Sequence, residues 1–415
     1  MSEKKNTGKK AVIAVIVIAL IVAIIALVAV ISGKSKKDGS KSATEAGTET
    51  MRSGQFDIDY AKQVTKLADY SGVAITVSND YEINDTAKQT YLTNVLQSYG
   101  ADAYKQVTDR DTVADGDYVK VDYTGYKDGK AFDGGSATDV MLDVTNNSQV
   151  GGSSFIDGFT KPIIGAKVGD KVKGDVTFPE DYGNDDLNGQ TVTFEYTVKG
   201  IYSADPVALA DMTDEQVNTV FGKAGVTTNA QLTTQIEKDL KQQLYSAEVD
   251  KIKSYMIENS TVEIPDEYLQ ARLNEYIASF TKENVKDGQT LKKYLKSNYN
   301  MTVDQATEKW KENLTDQIKT EFIFGLIAEK ENIKMDDDAF NSYVDYIVSA
   351  SNGQFSKASE VYKYFGSGHK DEGKTYLKNQ YLVNKAIDTV TEKANVTFED
   401  GSAAPDTSSG SADAE

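Results

Sequence analysis

Apolar and polar residues alternate along residues 117–202 of the chain. The alternation is clearest in "DYVKVDYTGY" and "TVTFEYTVKGIY", and glycine-containing turns such as "KDGKAF" and "KVGDKV" separate the alternating stretches. A period of two places every second side chain on the same face of a strand. The pattern predicts an antiparallel β domain of about 85 residues.

Helical spacing replaces this alternation on both sides of the β domain. Upstream, "NDTAKQTYLTNVLQSYG" begins with residues that cap helices and ends at Gly100, which predicts a short amphipathic helix. Its apolar face comprises Tyr91, Leu92, Val95, Leu96 and Tyr99. Downstream of Pro206, apolar stripes predict an all-α region of roughly 190 residues. The stripes are Leu232, Ile236, Leu240 and Leu244, and Trp310, Leu314, Ile318, Phe322 and Leu326.

One segment of the β domain, "FIDGFTKPIIGAKVGDKV" at residues 155–172, follows neither period. Its glycines at 158, 165 and 169 predict a loop and a short helix that deliver Phe155, Ile156 and Phe159 against the sheet. Spacing alone favours a core role for these three side chains. The β domain also carries one carboxylate and a further set of rings, which together favour an apolar cavity with a polar mouth. These residues are Tyr123, Phe132, Asp133, Tyr182 and Phe194.

The first 54 residues differ from the rest. Residues 11–32 carry no charge, and their length suits a bilayer span. We interpret them as an uncleaved anchor, because the apolar core of a cleaved signal peptide is usually only about 7–15 residues long; a signal peptide is the alternative. Lysines flank the span on both sides, and the short leader at 1–10 favours a cytoplasmic N-terminus. Residues 33–54 predict a flexible stalk.

Composition excludes several classes of function. The chain has 64 acidic and 45 basic residues with a net charge of −19, whereas a nucleic-acid surface needs clustered cations. It has no cysteine and one histidine, His369, which excludes thiolate nucleophiles and argues against His-based triads and metal sites. We therefore expect no nucleic-acid partner, no cofactor and no metal. "DRDTVADGD" at 109–117 reads as a solvated turn, with a calcium loop as the alternative.

Three stretches, "GDYVKVDYTGYKDGKAFDGG", "FIDGFTKPIIGAKVGDKVKGDVTFPEDYG" and "LNGQTVTFEYTVKGIY", resemble the FKBP-type peptidyl-prolyl isomerase domain of trigger factors. "LADYSGVAITVSNDYEINDTAKQTYLTNVLQSYG" resembles the link before that domain, and residues 206–400 resemble the helical chaperone domain. The expected fold class is α+β: an N-terminal transmembrane helix, an FKBP-like antiparallel sheet domain wrapped on a short helix, and an all-α chaperone domain. The expected domains are a cytoplasmic leader (1–10), a transmembrane anchor (11–32), a stalk (33–54), a linker with a helical segment (55–112), the FKBP-type domain (113–203), the chaperone domain (204–400) and a disordered tail (401–415).

The resemblance implies an apolar pocket for a prolyl ring, in which the Ile156 backbone N–H holds a substrate carbonyl. The implied residues are Phe159 at the floor, Tyr123, Phe132 and Phe194 at the walls, Phe155 and Ile156 at the rim, and Asp133 and Tyr182 at the mouth. The chain departs from the family twice: Leu142-Asp143 replaces Leu-Gly, and "VTNNSQVGGSS" lengthens the connection to Phe155. A holdase or peptide-binding module with an obstructed pocket is therefore the alternative to an isomerase.

The resulting hypothesis is a membrane-anchored foldase that isomerises X-Pro bonds in unfolded or nascent secreted polypeptides outside the cytoplasmic membrane. Trigger factors dock on ribosomes through a loop that contains Gly-Phe-Arg. The chain contains no Phe-Arg dipeptide, so ribosome docking is not expected. A surface adhesin is a third interpretation, favoured by the stalk alone.

Overall fold

The computed structural model describes residues 51–99, 103–286 and 288–407. The described chain divides into two compact units: residues 83–240, here called the sheet unit, and residues 51–82 with 241–407, here called the helical unit. The predicted leader, anchor and most of the stalk, at residues 1–50, lie outside the described residues. Within the described ranges, no helix combines the length and the apolar content that crossing a bilayer requires.

The strands and helices are numbered in chain order. The strands are β1 (Val64–Lys66), β2 (Ala74–Val77), β3 (Tyr104–Gln106), β4 (Tyr118–Lys127), β5 (Lys130–Asp143), β6 (Ser148–Gln149), β7 (Lys171–Thr177), β8 (Thr191–Pro206), β9 (Thr261–Val262) and β10 (Asn395–Phe398). The helices are α1 (Tyr60–Gln63), α2 (Asp85–Leu96), α3 (Asp214–Phe221), α4 (Asn229–Asn259), α5 (Asp266–Asn284), α6 (Leu291–Tyr299), α7 (Val303–Lys330), α8 (Asp337–Ala350), α9 (Ala358–Phe365) and α10 (Lys370–Glu392).

The sheet unit contains the predicted antiparallel sheet, which is thereby confirmed. Its strand order is β3-β8-β4-β5-β6, and β7 also pairs with β8, so β8 lies between β4 and β7. Every second residue of β8 is buried, as the alternation predicts; these residues are Val192, Phe194, Tyr196 and Val198. They pack with side chains of β4 and of residues 155–172 into one core.

The short helix upstream of the sheet is also confirmed. It is α2, and the Asn84 side chain accepts a hydrogen bond from the backbone N–H of Ala87 at 2.9 Å, which caps the first turn. Leu92 and Leu96, on the predicted apolar face, are fully buried. Gly100, the predicted stop, lies outside the described residues.

Residues 155–170 are a chain of turns, and residues 171–172 begin β7. The short helix predicted here is a single 3-10 turn, Lys161–Ile163, which contains Pro162. Proline cannot donate a backbone hydrogen bond, and Gly158 and Gly165 on either side have φ of +83°, a left-handed conformation that glycine adopts without strain. These residues end the helical conformation after one turn, and the segment wraps over the edge of the sheet core.

The helical unit confirms the predicted all-α region. A stripe of buried residues runs along α7 and comprises Leu314, Ile318, Phe322 and Leu326. Ile318, Phe322 and Leu326 pack in one core cluster with residues of α10 and of the second half of α4. A second cluster joins α8, α9 and α10, and an aromatic cluster around Phe280, Tyr294 and Trp310 joins α5, α6 and α7.

Two short strand pairs complete the helical unit. β1 pairs antiparallel with β9, and β2 pairs in parallel with β10. Residues 64–77, which the sequence assigns to a linker, therefore contribute strands to this unit. The compact units also differ from the predicted domain limits, since residues 204–240 cluster with the sheet.

Candidate functional site

Four aromatic rings meet at the centre of the sheet unit. Phe159, from the turn segment, lies with its ring centroid 5.0 Å from Tyr123 on β4, and 4.9 Å and 5.4 Å from Phe194 and Tyr196 on β8. All three contacts are edge-to-face, the geometry that the ring quadrupoles favour. Phe159 is 2% exposed, and its ring is the buried floor of this aromatic cluster.

Phe155 lies directly on this floor. Its ring stacks on Phe159 at 4.2 Å with the planes 13° apart, and it contacts Tyr123 at 6.2 Å. Phe155 is half-buried. The ring assigned to the rim therefore covers one face of the floor, and a prolyl ring that is to contact that face must displace it.

A second line of rings leads from the floor to the surface. Phe132 on β5 contacts Phe194 at 6.0 Å and Phe178 at 6.1 Å, and Phe178 contacts Tyr182 at 4.5 Å. Phe178 is buried, whereas Tyr182 is 48% exposed. The structure thus joins every predicted aromatic residue in one network, and it adds Phe178, which the sequence analysis did not single out.

Gly125 on β4 makes the close packing of two wall rings possible. A Cβ atom at this position would lie 2.6 Å from the Phe132 ring and 2.7 Å from the Phe194 ring. Real Cβ contacts are longer, so any side chain here displaces these rings. Gly125 therefore contributes to the site because the absence of a side chain leaves room for the rings of Phe132 and Phe194.

Tyr196 ties the floor to the sheet. Its buried hydroxyl donates a hydrogen bond of 2.6 Å to the backbone carbonyl of Phe159. Burial raises the pKa of this phenol, and burial also raises the pKa of Tyr123, with a smaller contribution from the neighbouring Tyr182. Both phenols therefore remain neutral hydrogen-bond donors at physiological pH. The alternation along β8 places Tyr196 on the same face as Phe194, and that signal was available in the sequence.

The predicted polar groups of the site, Asp133 and the Ile156 N–H, make fewer contacts than the aromatic rings do. Asp133 follows Phe132 on β5 and is exposed, and its carboxylate has no hydrogen-bond or ion-pair partner within the described chain. The structure does not bring it into contact with Tyr182. The backbone N–H of Ile156 likewise donates no hydrogen bond within the described residues, and the Ile156 side chain packs on the core that contains Phe159.

The arrangement offers apolar rings and oriented hydrogen-bond donors. No cluster of three or more acidic or histidine side chains that could hold a metal ion occurs in residues 51–99, 103–286 and 288–407. The turn at 109–117 is closed by Arg110 and Asp117, whose side chains form an ion pair, and Asp117 also accepts from the Ala114 N–H.

Two family models match the chain. The FKBP-type peptidyl-prolyl cis-trans isomerase model matches residues 110–199, which include the aromatic network. The model of the bacterial trigger factor protein (TF) C-terminus matches residues 227–392, which cover α4 to α10 completely.

Curated relatives agree with both matches. The trigger factor of Agathobacter rectalis is 28% identical over 79% of this chain and 69% of its own length. The trigger factor of Acetivibrio thermocellus is 26% identical over 81% of this chain and 74% of its own length. The trigger factor of Clostridium botulinum strain Eklund 17B is 29% identical over 66% of this chain and 62% of its own length. The chain thus spans about two thirds of the length of the relatives it matches.

A solved structure described as "Promiscuous Substrate Recognition in Folding and Assembly Activities of the Trigger Factor Chaperone" is also similar. It is 18% identical, with a TM-score of 0.42 over 79% of this chain and 72% of that chain. The matches of the two family models and of the relatives lead to one conclusion: the chain is a trigger factor-like protein with an FKBP-type domain and a trigger factor C-terminal domain.

Proposed function

We propose that the chain is a peptidyl-prolyl cis-trans isomerase and chaperone that acts on unfolded or nascent secreted polypeptides. The observation that carries the proposal is the network of rings around Phe159 within the FKBP-type domain. Beside this network, the backbone N–H of Ile156, which has no partner among the described residues, supplies a hydrogen-bond donor for a substrate carbonyl.

Apolar rings and one oriented donor suffice for this chemistry. Rotation about an X-Pro bond crosses a barrier of about 18–20 kcal/mol, because amide resonance is lost when the bond twists. A site that excludes water disfavours the planar, more polar amide relative to the twisted one, and a fixed N–H donor stabilises the twisted amide. Each 1.4 kcal/mol removed from the barrier accelerates the reaction about tenfold. No nucleophile is required.

The first test is proline-limited refolding of a model protein in the presence of the full chain. We expect acceleration by the native chain, and a loss of roughly tenfold or more in kcat/KM for Phe132→Ala, because one wall of the pocket is removed. Phe132 is half-buried, so its replacement disturbs the core less than replacement of Phe159. Phe365→Ala is the matched control, because Phe365 is a half-buried ring of the helical unit that packs on Tyr376.

Suppression of aggregation is measured on the same variants. Suppression that survives in Phe132→Ala while catalysis falls supports separate isomerase and chaperone activities. A native chain that suppresses aggregation without accelerating refolding is the holdase, and the isomerase proposal then fails. The stacking of Phe155 on Phe159 is the contact to examine in that case.

We further propose that residues 11–32 anchor the chain in the cytoplasmic membrane with its folded domains outside. The support is the uncharged apolar run of 22 residues and the short lysine-containing leader before it. Protease treatment of intact cells tests the orientation. Cleavage of the folded domains supports the proposal, and full protection contradicts both this location and a surface adhesin. Ribosome co-sedimentation, which we expect to be negative, tests the absence of docking.

A further inference from the structure

The lengthened connection between β5 and Phe155 is an ordered hairpin. β6 folds back on the end of β5, with Leu142 opposite Gln149 and Asp143 opposite Ser148. Asn147 precedes β6 at the turn and has φ of +49°. Asparagine adopts this left-handed conformation more readily than most residues. The hairpin thus places a half-buried amide side chain beside the segment that carries Phe155, Ile156 and Phe159.

Asn147 binds this segment through both ends of its side chain. Its Nδ2 donates to the carbonyl oxygens of Phe155 at 3.1 Å and Ile156 at 2.9 Å. Its Oδ1 accepts from the Thr160 backbone N–H at 3.0 Å and lies 3.1 Å from the Thr160 hydroxyl. The backbone carbonyl of Asn147 accepts from the Phe155 N–H at 2.9 Å. One residue of the hairpin therefore holds both ends of residues 155–160.

These bonds fix the direction of the Ile156 N–H. The carbonyl of Phe155 and the N–H of Ile156 belong to the same planar trans peptide unit, so they point in opposite directions. Because the carbonyl is held toward the Asn147 amide, the Ile156 N–H points away from it. This N–H has no partner among the described residues, and Ile156 itself packs on the core beneath the site.

We propose that Asn147 is a positioning residue for the isomerase, which orients the Phe155-Ile156 peptide so that the Ile156 N–H is presented to the substrate carbonyl. The inference rests on the proposed isomerase function. Without the Asn147 side chain, the Phe155-Ile156 peptide unit is free to rotate. The Ile156 N–H then loses the fixed direction that makes it an effective donor without reorganisation during the reaction.

The variant Asn147→Gly removes the side-chain bonds and keeps a residue that tolerates positive φ. Asn146→Gly is the matched control: it is the neighbouring asparagine, it is exposed, and its side chain binds only Asp143. Both variants introduce one glycine into the same loop, so the entropic cost in the unfolded chain is matched. In the full chain we expect Asn147→Gly to lose roughly tenfold in kcat/KM for a proline peptide. Asn146→Gly is expected to match the native chain.

A second measurement reads the orientation itself. The sequence contains Phe-Ile pairs only at 155–156 and 322–323, so labelling the full chain in detergent with carbonyl-¹³C phenylalanine and ¹⁵N isoleucine isolates two amide signals. We expect the N–H residual dipolar coupling of Ile156 to change in Asn147→Gly and not in Asn146→Gly. Ile323, buried in α7, is the internal reference and is expected to keep its coupling.

The two measurements separate the two hypotheses. A native chain without isomerase activity overturns the proposed function, and the dipolar coupling of Ile156 then decides the positioning role alone. Native-like catalysis, or an unchanged Ile156 coupling, in a folded Asn147→Gly overturns the positioning role and leaves the isomerase in place. Where Asn147→Gly does not fold, Asn147→Asp replaces it, because the carboxylate keeps an acceptor for Thr160 and loses both donors.

Discussion

Gly125 shows how one residue without a side chain controls the shape of the candidate site. It lies on β4 where the rings of Phe132 and Phe194 approach the backbone, and a Cβ atom would lie 2.6–2.7 Å from ring atoms of both. The two rings form walls of the prolyl pocket in the proposed function. Their positions therefore depend on the absence of a methyl group as much as on the contacts that they make.

We expect Gly125→Ala to destabilise the sheet unit by about 1–3 kcal/mol, the usual cost of adding a methyl group to a packed core. Catalysis is expected to fall as well, because the wall rings are displaced. Gly200→Ala is the control, since the nearest atoms to its Cβ would be side-chain atoms of Tyr202 and Gln106 at 3.1 Å or more, compared with 2.6 Å for Gly125. Urea unfolding and proline-limited refolding measure the two effects. Equal stability and equal catalysis in the two variants would show that the rings of Phe132 and Phe194 move to accommodate the methyl group without loss of stability.

The site residues divide into those that a linear pattern reveals and those that it does not. Tyr196 shares its face of β8 with Phe194, so the period of two was enough to find it. Phe178 enters through contact with Phe132 and Tyr182, and Asn147 through bonds to residues 8 to 13 positions away. Asn147 has no periodic signal, because its partners lie in another turn. Phe178 follows the buried Val176 at a spacing of two, so its burial, but not its contacts with Phe132 and Tyr182, could be predicted from the alternation.

At the scale of elements, one buried ion pair links two helices of the helical unit. Arg272 on α5 forms a double hydrogen bond with Glu321 on α7, at 2.8 and 3.0 Å, and its guanidinium lies 5.5 Å from the Tyr376 ring centroid. Only 11% and 14% of the two side chains are exposed. Burial alone lowers the pKa of Arg272, but the interactions with Glu321, Tyr268 and Tyr376 together outweigh it and raise the pKa above its ordinary value.

We expect Glu321→Gln to cost about 3–5 kcal/mol of stability, because it leaves a buried guanidinium without its counter-charge. The double variant Arg272→Met with Glu321→Leu is expected to cost less than Glu321→Gln alone, since no charge remains to be buried. Urea unfolding followed by the fluorescence of Trp310 measures both. The exposed pair Lys173 and Glu195 provides the control, where Glu195→Gln is expected to cost less than about 1 kcal/mol. A Glu321→Gln variant as stable as the control would show that water reaches the pair.

Elements that repeat a regular apolar period were predictable from the sequence. The long strands β4 and β8 and the long helices α4 and α7 repeat their period many times, and the sequence located all of them. The strands β1, β2, β9 and β10 have two to four residues each. A segment that short carries no period, and its partner lies far away in the chain, so the sequence assigned residues 64–77 to a linker.

At the scale of the whole molecule, the helical unit is assembled from two distant parts of the chain, with the sheet unit between them in sequence. β10 pairs with β2, and beyond it the Thr407 hydroxyl donates to the buried Glu248 on α4. Phe398 at the end of β10 is buried. The last described residues are thus part of the structure of this unit.

We expect a chain that ends at residue 394 to lose about 3 kcal/mol or more in the helical unit, since removal of a buried phenylalanine side chain alone costs about 3–5 kcal/mol. The proposed isomerase activity is expected to remain, because the FKBP-type domain lies in the sheet unit. Trp310 is the only tryptophan, so its fluorescence during urea unfolding reports the helical unit. A chain that ends at residue 407 is the control. Equal stability of the two chains would show that β10 is dispensable.

The pairing of β2 with β10 also determines how late in synthesis the helical unit can be completed. The paired residues Thr76 and Thr397 are 321 positions apart. At roughly 5–20 residues per second, a ribosome needs about 15–60 s to make the intervening chain. The sheet unit has time to fold during this interval, whereas β2 has no strand partner until β10 has been synthesised. In the proposed function, the FKBP-type domain can therefore fold and catalyse X-Pro isomerisation before the helical unit of the same chain is complete.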